Sequence, residues 1–535
     1  MPGANTSAGY MVLASILFIG DSLADHLDPA AYDITAAPRP GPVTEFQPIE
    51  SLPPVPFQLP FDWGMDPFED ASWQNVLHKL RPLVDGALAA GDFPHARAVF
   101  RDWQRWHNDR QAPASWGDAI TGARAARLAY FLHSTGWRNK ALVELAEEHA
   151  ARLLDPEVAS LTNHGIAQVH GLAALCLEGE LRSCRGADPF LERRLDELLR
   201  SQFAESGIHR ENSPNYHFYA LEHLSRMAPI LAVYSPDFSE TIRRAEKQKK
   251  WLVHPDLTTV QLGDSKPTLR SDVKIPLGNP LCGGIQSYSE DPSCYMLRHV
   301  KDVGYIIVRS DWAIPVEAAS MMFVRGGFFS KTHRHADDFS FEWFERGRKI
   351  LSDSGKHGYT RDKWEDYFDS TRAHNTIEVD GLDHSVHEDE AYGDATEMAR
   401  ATSGGMRIIL QVHHGDLGFW HRRQIDYRPG EELRIEDSVR SDRVRDYVQW
   451  HHFAQAFELS GGAGRFEIDD GEMLVELTTS TSCGDGTEYM MIRGQREPRL
   501  QGWASIADRE RHSRWALGIA CEARNATFEA RYELR

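Results

Sequence analysis

The chain has 535 residues, 41% of them hydrophobic and 26% charged, a globular profile in a chain too long for one ordinary core. A formal net charge of −20 argues against nucleic acid as a partner, and any polyanionic ligand would need a local basic cleft in an acidic surface. The short apolar run Val12–Gly20 cannot span a bilayer and has neither a basic lead nor a cleavage site, so no membrane segment or signal peptide is read and cytoplasm and periplasm both stay open.

Residues 28–62 are rich in proline (Pro38, Pro40, Pro42, Pro48, Pro53, Pro54, Pro56, Pro60), which predicts an irregular lead-in over about residues 1–65. From about residue 70, Trp73, Val76, Leu77, Leu80, Leu83 and Val84 recur at helical spacing. Similar stretches follow near 93–108, 117–134, 138–154, 163–178, 187–204, 214–233 and 238–252, joined by short turns. This predicts a domain of antiparallel helical hairpins over 66–290. The join to the next domain falls near 255–300.

Beyond it the period drops to two. Phe339, Phe341 and Trp343 alternate imperfectly with Ser340, Glu342 and Phe344, and Ile377 and Val379 alternate with Thr376 and Glu378. Hairpin turns are expected at Asp470-Gly471 and around Arg428-Pro429-Gly430. The pattern predicts an antiparallel β-sandwich over 291–535. Six cysteines (Cys176, Cys184, Cys282, Cys294, Cys483, Cys521) form no CxxC pair and read most simply as buried or free thiols, with a Cys282–Cys294 disulfide left open.

Polar groups concentrate in four places. Asn163-His164 precede the apolar run Ile166–Leu177 and read either as a helix cap or as ligand donors. The segment Arg210–Tyr219 packs Tyr216, His217 and Tyr219 around Pro214, either as an aromatic helix face or as a site where cationic neighbours lower a tyrosine pKa for acid–base work. In Lys331–Asp338, His333 and His335 would share one side of a strand, as a base beside a metal ligand or as a polar strand end. Asp353 and His374 complete a His2Asp set with His335, adequate for Zn²⁺ or a similar divalent ion.

In order, Asn163-His164, Glu211–His217, His333–Asp337 with Phe339–Phe341, and Asp353 with Ala373–Thr376 resemble the heparinase II/III family of polysaccharide lyases, which has alginate-lyase relatives. The resemblance covers about residues 70–400. It implies an incomplete (α/α) toroid followed by an antiparallel β-sandwich, with the active cleft between them. It also implies β-elimination on an acidic, uronate-containing glycan of glycosaminoglycan or alginate type. Asn163 and His164 would neutralise the substrate carboxylate, Tyr216 would be the acid and often the base, and His333 the opposing base or a stabiliser. A mainly structural metal, kept by some members, would fall on His335, Asp353 and His374. A second tyrosine of the alginate-lyase relatives would fall near Tyr359. Arg210, Arg334 and Arg361 are candidate carboxylate or sulfate partners, because a guanidinium grips such groups bidentately.

Three other readings compete. A glycoside hydrolase would need a carboxylate pair such as Glu211 and Asp337. A metal-dependent hydrolase would use His333, His335 and Asp353 with a bound water. A non-catalytic glycan-binding protein would keep the fold alone. The oligomeric state is not fixed by any of these observations.

Overall fold

The computed structural model describes residues 28–49, 52–110, 113–284, 292–359, 362–403 and 405–535, so the Val12–Gly20 run lies outside the described residues. The chain forms two compact units. The first holds residues up to Arg200 together with Glu222–Glu240, and the second holds Ser201–Leu221 and Thr241–Arg535.

The first unit is helical, built from Ala71–Lys79, Arg81–Ala89, Phe93–Arg110, Asp118–Thr135, Lys140–Leu153, Asn163–Cys176 and most of Asp188–Gln202. The period over Trp73–Val84 is not one helix. It breaks at Leu80, whose φ is 62°, because Pro82 cannot extend a helix running into it from residue 78. The apolar positions are buried all the same. Helices Asp118–Thr135 and Asn163–Cys176 touch backbone to backbone: a Cβ on Gly122 would sit 2.1 Å from the Ala167 carbonyl oxygen, and one on Gly171 2.3 Å from that of Gly122. Arg127, fully buried, pairs bidentately with Asp85 at 2.6 and 2.8 Å. The proline-rich lead-in is irregular apart from a 3₁₀ turn, Pro29–Tyr32, and a two-residue pairing of Glu45–Phe46 with Val55–Pro56. Buried Tyr32, Phe46, Phe57 and Trp63 anchor it.

The second unit carries two antiparallel sheets. Five strands, β1 (Tyr295–Val300), β2 (Tyr305–Ser310), β3 (Ser320–Arg325), β4 (Phe341–Glu345) and β5 (Arg348–Leu351), pair in sequence order. The larger sheet contains β6 (Ile377–Val379), β7 (Thr396–Thr402), β8 (Gly405–His414), β9 (Phe419–Arg428), β10 (Glu432–His452), β11 (Glu458–Gly462), β12 (Arg465–Asp469), β13 (Leu474–Thr481), β14 (Glu488–Arg493) and β15 (Trp515–Leu534). Its order is β7-β8-β9-β10-β15-β13-β12-β11, with β6 on β10 and β14 on β15. Both expected hairpins form, Arg428 pairing with Glu432 and Asp469 with Leu474.

Ile306, Val308, Met322, Val324 and Trp343 of the small sheet share one core with Ile408, Leu410, Ile425, Leu517 and Ile519 of the large one, so the sheets form a sandwich. The other face of the small sheet (Ile307, Met321, Phe323, Phe344) is covered by Leu252, Val253, Val260 and Leu262. Burial on both faces explains why β2 and β3 carry runs of consecutive apolar residues, Tyr305–Val308 and Met321–Val324, rather than alternating.

The cysteines are not free thiols. They pair as Cys176–Cys184, Cys282–Cys294 and Cys483–Cys521, a pairing that spacing alone does not encode. Among the described residues no helix is long and apolar enough to cross a membrane.

Candidate active site

The polar groups of the second unit converge on one carboxylate that no sequence motif marked. Asp264 follows the apolar Val260–Leu262 segment that packs on the small sheet. Its Oδ2 accepts from His333 Nδ1 at 2.7 Å and from Tyr359 Oη at 2.7 Å, and its Oδ1 accepts from His335 Nε2 at 3.0 Å. Since Tyr359 gives its proton to Asp264, the 2.8 Å contact between the Tyr216 and Tyr359 hydroxyls is donated by Tyr216. Tyr216 also stacks on His333, ring centroids 3.5 Å apart and planes 17° from parallel. The other ring nitrogen of His333 lies 3.3 Å from Glu211.

Local structure explains how these groups are held. Ser213 Oγ accepts from Tyr216 N–H at 3.3 Å, capping the helix that begins at Pro214, and donates to the Asp264 carbonyl at 2.8 Å. Asn212 sits at φ 54°, a strained conformation for a side-chain-bearing residue. It is locked by Arg325, which donates to its side-chain oxygen at 3.1 Å and its carbonyl at 2.7 Å, while its own amide donates to the Ser330 and Thr332 carbonyls at 2.6 and 3.0 Å. Gly263 passes so close that a Cβ there would sit 2.5 Å from the Asn212 carbonyl oxygen and 2.8 Å from that of His333.

His333 and His335 do not lie in a strand. Residues 329–340 form a loop between β3 and β4, with His333 at φ 56°, and the two imidazoles meet through Asp264 rather than through strand alternation. The strand begins only at Phe341.

The electrostatics also depart from the expected tyrosine activation. Burial raises the Tyr216 pKa, and the charges of Asp264 and Glu211 raise it further, so the hydroxyl keeps its proton. For His333, burial works against the charged form, but hydrogen bonds to Asp264 and Glu211 outweigh it and the net shift is upward. His335 is pushed up to about 9: burial again opposes, and the Asp369 and Asp264 carboxylates prevail.

Profiles of the heparinase II/III N-terminus and of the heparinase II/III-like C-terminal domain match residues 42–280 and 295–529, which together span most of the chain. The chain belongs to the heparinase II/III family. It is similar to a heparin-sulfate lyase of Bacteroides thetaiotaomicron, 22% identical over 427 residues, covering 68% of this chain and 59% of that protein. A heparin-sulfate lyase of Pedobacter heparinus is 22% identical over 378 residues, covering 63% of this chain and 56% of that one. The chain thus spans less than two thirds of the length of these relatives. The crystal structure of a heparinase III aligns with a TM-score of 0.71 at 15% identity, over 88% of this chain and 79% of that one, so the fold is shared.

In this heparinase II/III chain the remaining sequence candidates divide. Asn163 and His164 open a helix of the first unit, where Thr162 rather than Asn163 is the cap: its Oγ1 accepts from His164 N–H at 3.3 Å. Arg210 is half-buried and donates to the Asp302 carbonyl at 3.4 Å. Arg334 is not a surface partner for substrate. It is buried, paired with Asp338 and stacked 3.8 Å from the Phe328 ring centroid, because an unpaired guanidinium could not be taken out of water. Arg361 lies outside the described residues. His217 is structural, donating to the Ala245 carbonyl at 3.1 Å. Lys356, which no motif flagged, places its ammonium 3.8 Å from the Tyr359 ring centroid.

Both carboxylates named for a glycosidase pair are engaged by other groups. Asp337 is buried on Arg325 at 2.8 Å, and Glu211 is committed to His333. His335, Asp353 and His374 do converge. His374 Nδ1 donates to Asp353 Oδ2 at 2.8 Å, the His335 and His374 rings are 5.3 Å apart, and their second nitrogens are buried with no hydrogen-bond partner among the described residues. These orphaned nitrogens fit a divalent ion. His333 joins no such group among the described residues.

Proposed function

We propose that the chain is a polysaccharide lyase that cleaves a uronate-containing glycan of the glycosaminoglycan type, heparan sulfate first, by β-elimination. The observation that carries this reading is the hydrogen-bonded series Tyr216–Tyr359–Asp264–His333 in a member of the heparinase II/III family. β-Elimination must remove the proton at C5 and release the glycosidic oxygen at C4. A phenol that keeps its proton is suited to protonating that leaving oxygen, and Tyr216 is one. After the product leaves, the proton gained by His333 returns to Tyr216 along the hydrogen-bonded series through Asp264 and Tyr359.

His333 takes the C5 proton on Nε2 from its neutral form, in which Nδ1–H is held by Asp264. Asp264 fixes its ring and, with Glu211, makes it more basic than an isolated imidazole. Asn163 and His164 donate to the substrate carboxylate and stabilise the enolate that forms as the proton leaves, an oxyanion-hole role. Lys356 and Arg210 supply positive charge for the acidic chain. His335, Asp353 and His374 would hold a divalent ion of structural type. Such an ion would supply fixed positive charge joining the three segments that carry these ligands.

Incubation with heparan sulfate, heparosan, hyaluronan, chondroitin and alginate, read by the ultraviolet band of an unsaturated uronate, tests the reading. A rise on heparan sulfate or heparosan is expected. New reducing ends with no such band on any substrate would replace elimination by hydrolysis.

A further inference from the structure

A second cluster of ligating side chains lies in the β-sandwich, apart from Asp264 and from the His335–Asp353–His374 set. Asp338 closes the loop that also carries His333 and His335, His384 follows β6, and His414 ends β8. All three are buried, and one ligand atom from each lies within 4.8 Å of the others. Asp338 Oδ2 is 3.7 Å from His384 Nδ1 and 3.7 Å from His414 Nδ1. That is too long for a hydrogen bond. It is close to the roughly 3.4 Å between ligands that bonds of about 2.1 Å around a tetrahedral zinc would give.

The surroundings point the ligand atoms inward. His384 Nε2 donates to the Ile377 carbonyl at 2.8 Å, which fixes its tautomer and turns the Nδ1 lone pair toward Asp338, the outer hydrogen bond usual for metal-bound histidine. That Nδ1 is buried with no hydrogen-bond partner among the described residues. The two imidazoles stack with centroids 4.3 Å apart. Asp338 Oδ1 is held by Tyr392 Oη at 2.6 Å and by Arg334, which leaves Oδ2 for the histidines. A pair of plain core imidazoles would leave a buried nitrogen and a buried carboxylate oxygen facing each other without a bond, which is costly.

We propose that Asp338, His384 and His414 form a second metal site, for Zn²⁺ or a comparable borderline divalent ion. It ties the loop bearing His333 to the ends of β6 and β8. Two nitrogens and one carboxylate oxygen suit such an ion better than Ca²⁺ or Mg²⁺, which take oxygen.

The test is zinc content by mass spectrometry of the full chain after removal of metal with a chelator, dialysis against Zn²⁺ and desalting. His414→Gln is expected to hold one equivalent fewer than wild type. Equal zinc content in folded His414→Gln would overturn the proposal. Should that variant not fold, Co²⁺ titration of His374→Gln decides, since only the second site is then complete. One equivalent with the visible bands of a tetrahedral ion is the expected result, and no uptake overturns it. Neither readout depends on turnover, so loss of the lyase reading would leave this test standing.

Discussion

Replacing Asp264 by asparagine removes one negative charge from the point where His333, His335 and Tyr359 meet, with almost no change in shape. The carboxylate accepts three hydrogen bonds, at 2.7, 3.0 and 2.7 Å. An amide offers one acceptor oxygen, so at least one bond is lost and the others become neutral ones. Charge-assisted bonds are worth about 1.5–3 kcal/mol and neutral ones about 1 kcal/mol, so about 2–3 kcal/mol falls on the His333–Tyr359 side. At about 1.4 kcal/mol per tenfold, kcat should drop roughly 30- to 150-fold with KM little changed. The assay is the initial rate of unsaturated-uronate formation at saturating heparan sulfate, with the urea midpoint and circular dichroism as controls for folding. A folded Asp264→Asn protein with kcat within about threefold of wild type would refute the positioning role.

Tyr216→Phe should reduce elimination by about 10²–10⁴-fold while the circular dichroism spectrum is unchanged; retained turnover would move the acid elsewhere. Asn163→Ala should lower kcat by about 10²-fold on the same substrate, measured by the same absorbance. Gly122→Ala should destabilise the helical unit by about 3 kcal/mol or more, because the added Cβ would sit 2.1 Å from the Ala167 carbonyl oxygen; a urea midpoint equal to wild type would show that the helices can separate at no cost. Glu345 gives a pH dependence. Burial, only partly offset by hydrogen bonds from Ser320, Tyr427 and Trp343, raises its pKa from 4.5 to about 7. A raised carboxyl favours folding below its unfolded value, and that contribution is lost as pH climbs through its folded value. Wild type should therefore lose up to about 3 kcal/mol between about pH 4.5 and pH 7 relative to Glu345→Gln, seen as diverging urea midpoints.

The helix-then-strand order was legible because local periodicity reports which face of each element is buried. Residues 118–135 and 465–481 illustrate this, one with helical spacing and one with an Asp-Gly hairpin. Leu80 shows the limit: the apolar period runs through it, yet Pro82 two residues on stops the helix, and backbone sterics override pattern. At the site, Tyr216 and His333 stood out because unusual polar density is visible in one dimension. Asp264 did not, since an isolated aspartate after an apolar segment resembles any loop residue until the fold brings three partners to it.

The sequence by itself determined the two-part architecture, the family motifs and the residue types needed for elimination chemistry, all of which are encoded within a few turns or strands of chain. Only the tertiary structure decided their electrostatics. Whether Tyr216 keeps its proton, whether Arg334 faces solvent or Asp338, and which cysteines join depend on groups far apart in sequence. Charge interactions and burial act through space, and no local pattern carries that distance information.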